Sequence, residues 1–350
     1  MDTQEFIRAQ RQNLPILLTQ RHVAGKTFVI TGSNHGIGRE AALHIARLGP
    51  SRLILAVRSL PKGQEAKEWI QSAVGDCDSV TINVWYLDTT VWDSVRAFAN
   101  RAENELDRLD VVVQNAAVAV DVFETNKEGY ENTVAGNVFG TVMLAMHLLP
   151  KMKETGKKFG STPHMVLLTS GLAFEHPDAM HLVDGEGGAF AALNREGESP
   201  MTPTPKRYSV SNLYKIMIVR ELAKVFPYTE TGVVINLLSP GLCNTGLARN
   251  STLIFRLQFR IFNALIGRTA EMGSRTILHA MQAGPESHGR YISDCKVKEY
   301  CVVDWVQNDI GQRAQERTWK QFLERVEAIE PGLFKRTISA LREQTSSLVA

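Results

Sequence analysis

Six short, nearly continuous apolar runs alternate with helical patterns along this chain, and that rhythm limits the fold more than any other feature. The runs are Thr27–Ile30, Leu53–Val57, Val80–Val84, Val111–Val113, Met165–Leu168 and Val233–Leu237. Strands without an apolar-polar alternation are those covered on both faces. Between them lie helical stretches such as Gly38–Leu48, Val91–Leu106, Val138–Met152 and Ser209–Phe226. The order makes βαβ units, whose right-handed crossovers predict an α/β fold with a doubly wound parallel sheet between two helical layers.

Composition narrows the partners. The 350 residues carry 39 basic and 37 acidic side chains, a net charge of +2, which gives no reason to expect nucleic acid. Four cysteines (Cys77, Cys243, Cys295, Cys301) form no CxxC pair, so neither a disulfide framework nor a zinc site is expected. His176 and His181 lack a carboxylate partner and read as surface residues, so no metal is expected. The first residues lack the apolar core of a signal peptide, and the most apolar stretch, Val134–Leu149, is broken by Asn137 and His147. The expectation is a cytoplasmic protein with no transmembrane segment.

The chain is expected to be a single domain, 1–350, with its core at about 20–310. Residues 174–207, rich in Gly, Pro and polar residues, read as a loop insertion. Residues 311–350 read as an amphipathic helix (Trp319, Phe322, Val326, Ile329) followed by a polar tail.

The first run leads directly into Gly32-Ser33-Asn34-His35-Gly36-Ile37-Gly38 and then a helix. Glycines let the backbone approach a pyrophosphate, and the helix N-terminus offers free N–H groups and a positive dipole end. This is the dinucleotide-binding context of a Rossmann fold. The second strand ends without the acidic residue that would hold a ribose 2′-hydroxyl; Arg58 stands there instead. A guanidinium binds a 2′-phosphate that a carboxylate would repel, which favours NADP(H) over NAD(H). Asp88, ending the third strand, is read either as an acceptor for the adenine amino group or as a helix cap.

These residues resemble the short-chain dehydrogenases/reductases, in their larger fungal form akin to retinol-dehydrogenase-like reductases. The resemblance spans about residues 20–310 and rests on ordered motifs. They are the glycine turn, Gln114-Asn115-Ala116-Ala117, Asn137 in Asn-Val-Phe-Gly-Thr, Ser170 after the fifth strand, Tyr208 in Tyr-Ser-Val-Ser, and Pro240-Gly241 with Thr245. It implies hydride transfer to or from a carbonyl, with Tyr208 as general acid/base and Ser170 bonding the substrate oxygen. It further implies that Asn137 organises a proton relay, that Asn115, Ala116 and Asn212 touch the cofactor, and that Pro240, Gly241 and Thr245 embrace the nicotinamide.

One departure bears on chemistry. The family pattern is Tyr-x-x-x-Lys, and here the fourth residue after Tyr208 is Asn212. An ammonium about 4 Å from a developing phenolate is worth on the order of 4 kcal/mol at an effective dielectric near 20, an upper-end figure. Without it Tyr208 stays near the tyrosine reference of about 10, which penalises oxidation more than reduction. Lys215, two turns along the same stripe, is a candidate to compensate, with an ordinary surface lysine the preferred reading. The first expectation is an NADPH-dependent carbonyl reductase. The alternatives are non-redox chemistry on the same fold (isomerase, dehydratase or cyclase) and cofactor binding without catalysis.

On the substrate side, residues 246–268 read as an apolar lid, with Phe255, Phe259, Phe262 and Ile266 on one helical stripe. A dimer or core surface and peripheral membrane contact are the other readings of that stripe. A lid of this kind implies a hydrophobic small molecule, such as a polyketide or terpenoid of secondary metabolism. The helix carrying Val138, Leu144 and Leu148 resembles one that pairs subunits in the family, which raises a homodimer.

Overall fold

The computed structural model describes residues 3–75, 80–120, 122–195, 204–246 and 252–346. Eight strands form one sheet in the order β3-β2-β1-β4-β5-β6-β7-β8. They are β1 (Thr27–Thr31), β2 (Arg52–Val57), β3 (Thr81–Tyr86), β4 (Val111–Gln114), β5 (His164–Leu168), β6 (Val234–Ser239), β7 (Tyr291–Ser293) and β8 (Lys296–Val297). All neighbours pair parallel except the last, where β8 returns antiparallel on β7.

The principal helices are α1 (Thr3–Gln10), α2 (Gly36–Arg47), α3 (Leu60–Val74), α4 (Trp92–Glu105), α5 (Thr141–Phe159) and α6 (Thr204–Val225). After them come α7 (Leu253–Ile266), α8 (Ala270–Ala280), α9 (Asp309–Ile329) and α10 (Leu333–Ser346). Successive strand residues point to opposite faces and so feed two separate cores. Val29, Ile54, Val112, Met165 and Ile235 pack with α4, α5, α6 and α9. Phe28, Ile30, Leu53, Val113 and Val166 pack with α2, α3 and α8. Every residue of β1, β4, β5 and β6 is buried, which is why those runs show no alternation.

Three expectations change. Residues 174–207 are not one irregular loop: 3₁₀ turns cover Gly171–Glu175 and Pro177–Val183, a short helix covers Gly188–Leu193, and α6 already begins at Thr204. The C-terminal tail contains a second docked helix. Lys153 Nζ of α5 donates to the Leu341 carbonyl of α10 at 2.6 Å, and Thr337 Oγ1 donates to the Met146 carbonyl at 3.2 Å.

That docking also changes the pairing face. Val138, Leu144 and Leu148 are buried inside this chain, where α10 packs on α5 and α9 on α6. Phe322 of α9 stacks on Phe139 at a ring separation of 5.5 Å. Part of the helix that raised a homodimer is thus covered by α10 of the same chain. The same burial explains the apolar stretch within 132–159: 89% of its 18-residue window lies inside the protein, as in a core helix.

Candidate active site

Parallel strands all point their carboxyl ends to one edge, and ligands of such sheets bind outside that edge where the strand order reverses. Here the order reverses between β1 and β4, and the residues singled out by sequence leave the strand ends at that edge. Gly32 follows β1, Arg58 follows β2, Asp88 lies two residues past β3, Asn115 follows β4, Ser170 lies two past β5 and Pro240 follows β6.

The turn after β1 is held from below. Gly32 has φ +65°, and a Cβ there would stand 2.9 Å from Ala116 Cα; a Cβ on Gly38 would stand 2.5 Å from Asn115 Nδ2. Only glycine fits either place. Asn115 Nδ2 donates to the carbonyls of Thr31 (2.8 Å) and Gly32 (3.1 Å), and the Ala116 N–H donates to Thr31 Oγ1 at 2.9 Å. Ser33 Oγ donates to the Ile30 carbonyl at 2.9 Å. Asn115, Ala116 and Ser33 therefore shape the turn with these groups. His35 is the N-cap of α2 and gives it no side-chain cap bond, so the first N–H groups of α2, at Gly36, Ile37 and Gly38, face the edge without one. Asn34, half-buried, precedes them.

Arg58 is exposed beside this turn. Arg39 instead lays its guanidinium over the Trp69 ring, 4.0 Å from the centroid. Asp88 does not cap α4, whose N-cap is Val91; its Oδ1 accepts from Thr90 N (3.0 Å) and Thr90 Oγ1 (2.7 Å) in the turn ahead of that helix. Thr245 approaches from the far side: a Cβ on Gly36 would lie 3.3 Å from its Cβ.

The reacting side of the edge is built on α6. The side chains of Ser170 and Asn212 stand near enough to the phenol of Tyr208 to favour its ionised form. Burial pushes this phenol above its ordinary value, and the two neighbouring side chains only partly oppose that. Asn212 Nδ2 donates to the Tyr208 carbonyl at 2.8 Å. Ser170 Oγ accepts from Leu172 N at 3.3 Å, which orients it at the strand end.

Asn137 sits fully buried in a π-helical turn, Ala135–Gly140, immediately before α5. Such bulges rotate side chains out of the α-helical pattern and gather at functional sites. Its amide pairs with both backbone groups of Val118, at 2.8 and 2.9 Å, and its Nδ2 donates to Ser211 Oγ at 3.2 Å. Ser211 in turn donates to the Tyr208 carbonyl at 2.8 Å. Sequence reasoning missed Ser211, although its place three residues after Tyr208 on one helical face was a usable signal. It also missed Tyr291, whose hydroxyl lies near the Ser239 side chain and would stand 3.7 Å from a Cβ on Gly171. No local signal could find it, because β7 joins the sheet only through tertiary pairing.

Lys215 is not the surface residue expected. It is 2% exposed, and burial alone brings its ammonium down to about 7. Among the described residues no hydrogen bond or ion pair joins it to Tyr208, Asn212 or Asn137. The side chains of Phe255, Phe259 and Phe262 lie outside the described residues; on α7 the stripe seen exposed is Leu253, Leu257, Ile261 and Leu265.

Comparison with known proteins agrees with this geometry. Residues 26–175 match the family described as short chain dehydrogenase. The chain is 37% identical over 310 residues to the short chain dehydrogenase/reductase dmxR8 of Cryptosporiopsis sp., covering 89% of this chain and 93% of that protein. It is 34% identical over 313 residues to the short-chain dehydrogenase/reductase ffsI of Aspergillus flavipes, covering 89% of each. Among solved structures, the short-chain dehydrogenase from Sphingobium yanoikuyae in complex with NADPH superposes with a TM-score of 0.53 at 17% identity. That match covers 72% of this chain and 82% of the other, and it is a likeness of fold.

Proposed function

The chain belongs to the short-chain dehydrogenase/reductase family, and from that premise we propose that it is an NADPH-dependent reductase of a carbonyl group on a hydrophobic small molecule. The observation that carries this reading is the state of Tyr208: a phenol near Ser170 and a neutral amide, held above its ordinary pKa by burial. A reductase needs a proton donor at neutral pH, and this is one.

The site fits the cofactor in its shape. The N-terminus of α2, the close-packed Gly32 and Gly38 and the exposed Arg58 would receive the pyrophosphate and the 2′-phosphate. Asn34, His35, Gly36 and Ile37 would line the phosphates, Asp88 the adenine, and Pro240, Gly241 and Thr245 the nicotinamide. The bound nicotinamide would supply the hydride. Ser170 Oγ would bond the substrate carbonyl oxygen, Tyr208 would give that oxygen its proton, and Asn212 Oδ1 would accept from a ribose hydroxyl. Asn137, through Ser211, fixes the turn of α6 that carries Tyr208. The apolar α7 supports a hydrophobic substrate, of the kind found in secondary metabolism.

A second reading, non-redox chemistry with Ser170 and Tyr208 as fixed polar groups, is favoured by the neutral Asn212 at the lysine position. Purified protein offered NADPH and a panel of hydrophobic ketones and aldehydes decides between them. Carbonyl-dependent loss of NADPH absorbance supports the reductase. Product formed without cofactor turnover supports an isomerase, dehydratase or cyclase.

A further inference from the structure

The segment ahead of β1 reaches back to the loop that follows β6. Gln10, at the end of α1, is 6% exposed although its amide is polar. Its Nε2 donates to the carbonyl of Leu242 at 2.8 Å and to that of Ile266 at 3.1 Å, while its Oε1 accepts from Leu242 N at 3.2 Å. One side chain thus pairs with both backbone groups of Leu242 and with the last residue of α7.

Arg268 closes the arrangement from the other side. Its guanidinium donates to the carbonyls of Pro240 (3.2 Å) and Ala9 and pairs with Asp294, all buried. Its backbone bridges the loop as well, donating to the Leu242 carbonyl and accepting from Asn244 N, each at 2.8 Å. Burial pushes the Asp294 carboxyl up, but hydrogen bonds from Lys298 and the Arg268 charge outweigh it and hold the carboxyl below the usual range. Gly241, at φ +77°, has no room for a Cβ: it would collide with Gln10 Oε1 and lie 2.9 Å from Arg268 Nη1. The loop and α1 are fitted to each other.

We propose that α1 braces the loop at 240–245 and the C-terminal end of α7, with Gln10 the positioning residue that sets their separation. Gln10 and Arg268 hold the loop from opposite sides of Gly241. The Gln10 amide bonds both the loop and α7, so it couples the cofactor side of the site to the lid side. This rests on the reading of 240–245 as the nicotinamide loop.

Gln10→Met keeps the volume and removes the amide; Gln10→Asn keeps the amide but shortens its reach. Amide hydrogen exchange of the free protein reads the brace independently of any activity. Faster exchange at 240–246 and 266–268 in both variants, with the sheet core unchanged, is the expected result. NADPH Kd by fluorescence should rise about tenfold, with the kinetic loss falling on the KM values for NADPH and substrate more than on kcat. A role limited to overall stability would lower the melting temperature and leave Kd and the exchange pattern alone, which overturns the proposal. If wild type binds no NADPH, the reductase reading fails, while the exchange arm still decides the brace.

Discussion

Asn212 lies one helical turn after Tyr208 and donates to its carbonyl at 2.8 Å, so a neutral amide occupies the place where the family pattern has an ammonium. An amide can orient the phenol, but it brings no charge to stabilise a phenolate. That single exchange biases the site towards giving protons rather than taking them.

Tyr208→Phe should therefore lose about 10²- to 10⁴-fold in NADPH-dependent reduction, the usual cost of a missing general acid. Folding and NADPH binding should persist, as followed by circular dichroism and fluorescence titration. Near-full turnover would reduce Tyr208 to a positional role.

Restoring the charge with Asn212→Lys should raise alcohol oxidation more than carbonyl reduction. Oxidation needs phenolate, so its rate climbs with pH through the phenol's pKa. In the wild type that midpoint lies above the tyrosine reference of about 10, because burial raises it. The ammonium favours phenolate, so the midpoint should move down by at least one pH unit, with a ceiling on the order of 4 kcal/mol. Unchanged oxidation profiles at pH 7 to 10.5 would remove this electrostatic account.

Lys215→Met should stabilise the fold, and more so at pH 6 than at pH 10. The folded chain gives up the Lys215 proton near pH 7, whereas the unfolded chain holds it to about 10.5. Between those values the unfolded state binds more protons, so this residue's penalty is full below pH 7 and fades as pH rises. The part of that penalty lost between pH 6 and pH 10 is worth roughly 4 kcal/mol, read as the difference in unfolding free energy gained by the variant at the two pH values. Both kinetic directions should stay within about twofold, since no hydrogen bond ties Lys215 to Tyr208. A large kinetic loss rescued by Asn212→Lys would instead make Lys215 the substitute for the missing lysine.

Arg58→Ala should weaken NADPH binding about tenfold or more and leave NADH binding nearly unchanged, because a charge-assisted phosphate bond is worth about 1.5–3 kcal/mol. Parallel titrations with the two nucleotides check it. An undiminished preference for NADPH would shift the selectivity elsewhere in the turn.

Much of the site could be read in the chain because its signals are local. The glycine turn sits between a strand and a helix of adjacent sequence, and Tyr208 and Asn212 are four residues apart on one helix. Lys215 shows the limit of such reading. Helical spacing put it on the right stripe but could not say that its environment is apolar and without a counter-charge. Residues 174–207 show another: polar composition looked like a loop, yet Ala179, Ala189, Phe190 and Leu193 are buried in the core.

By itself, the sequence determined the βαβ order, the continuous apolar strands and the spacing of the phosphate turn, because periodicity and turn chemistry act over a few residues. Only the tertiary structure decided what distant segments do to one another. It laid α10 over α5, brought Tyr291 beside Ser239, and placed Gln10 against Leu242 across 232 positions of sequence. Contacts of that kind depend on the shape and unpaired polar groups left once the sheet has packed, and no local pattern encodes them.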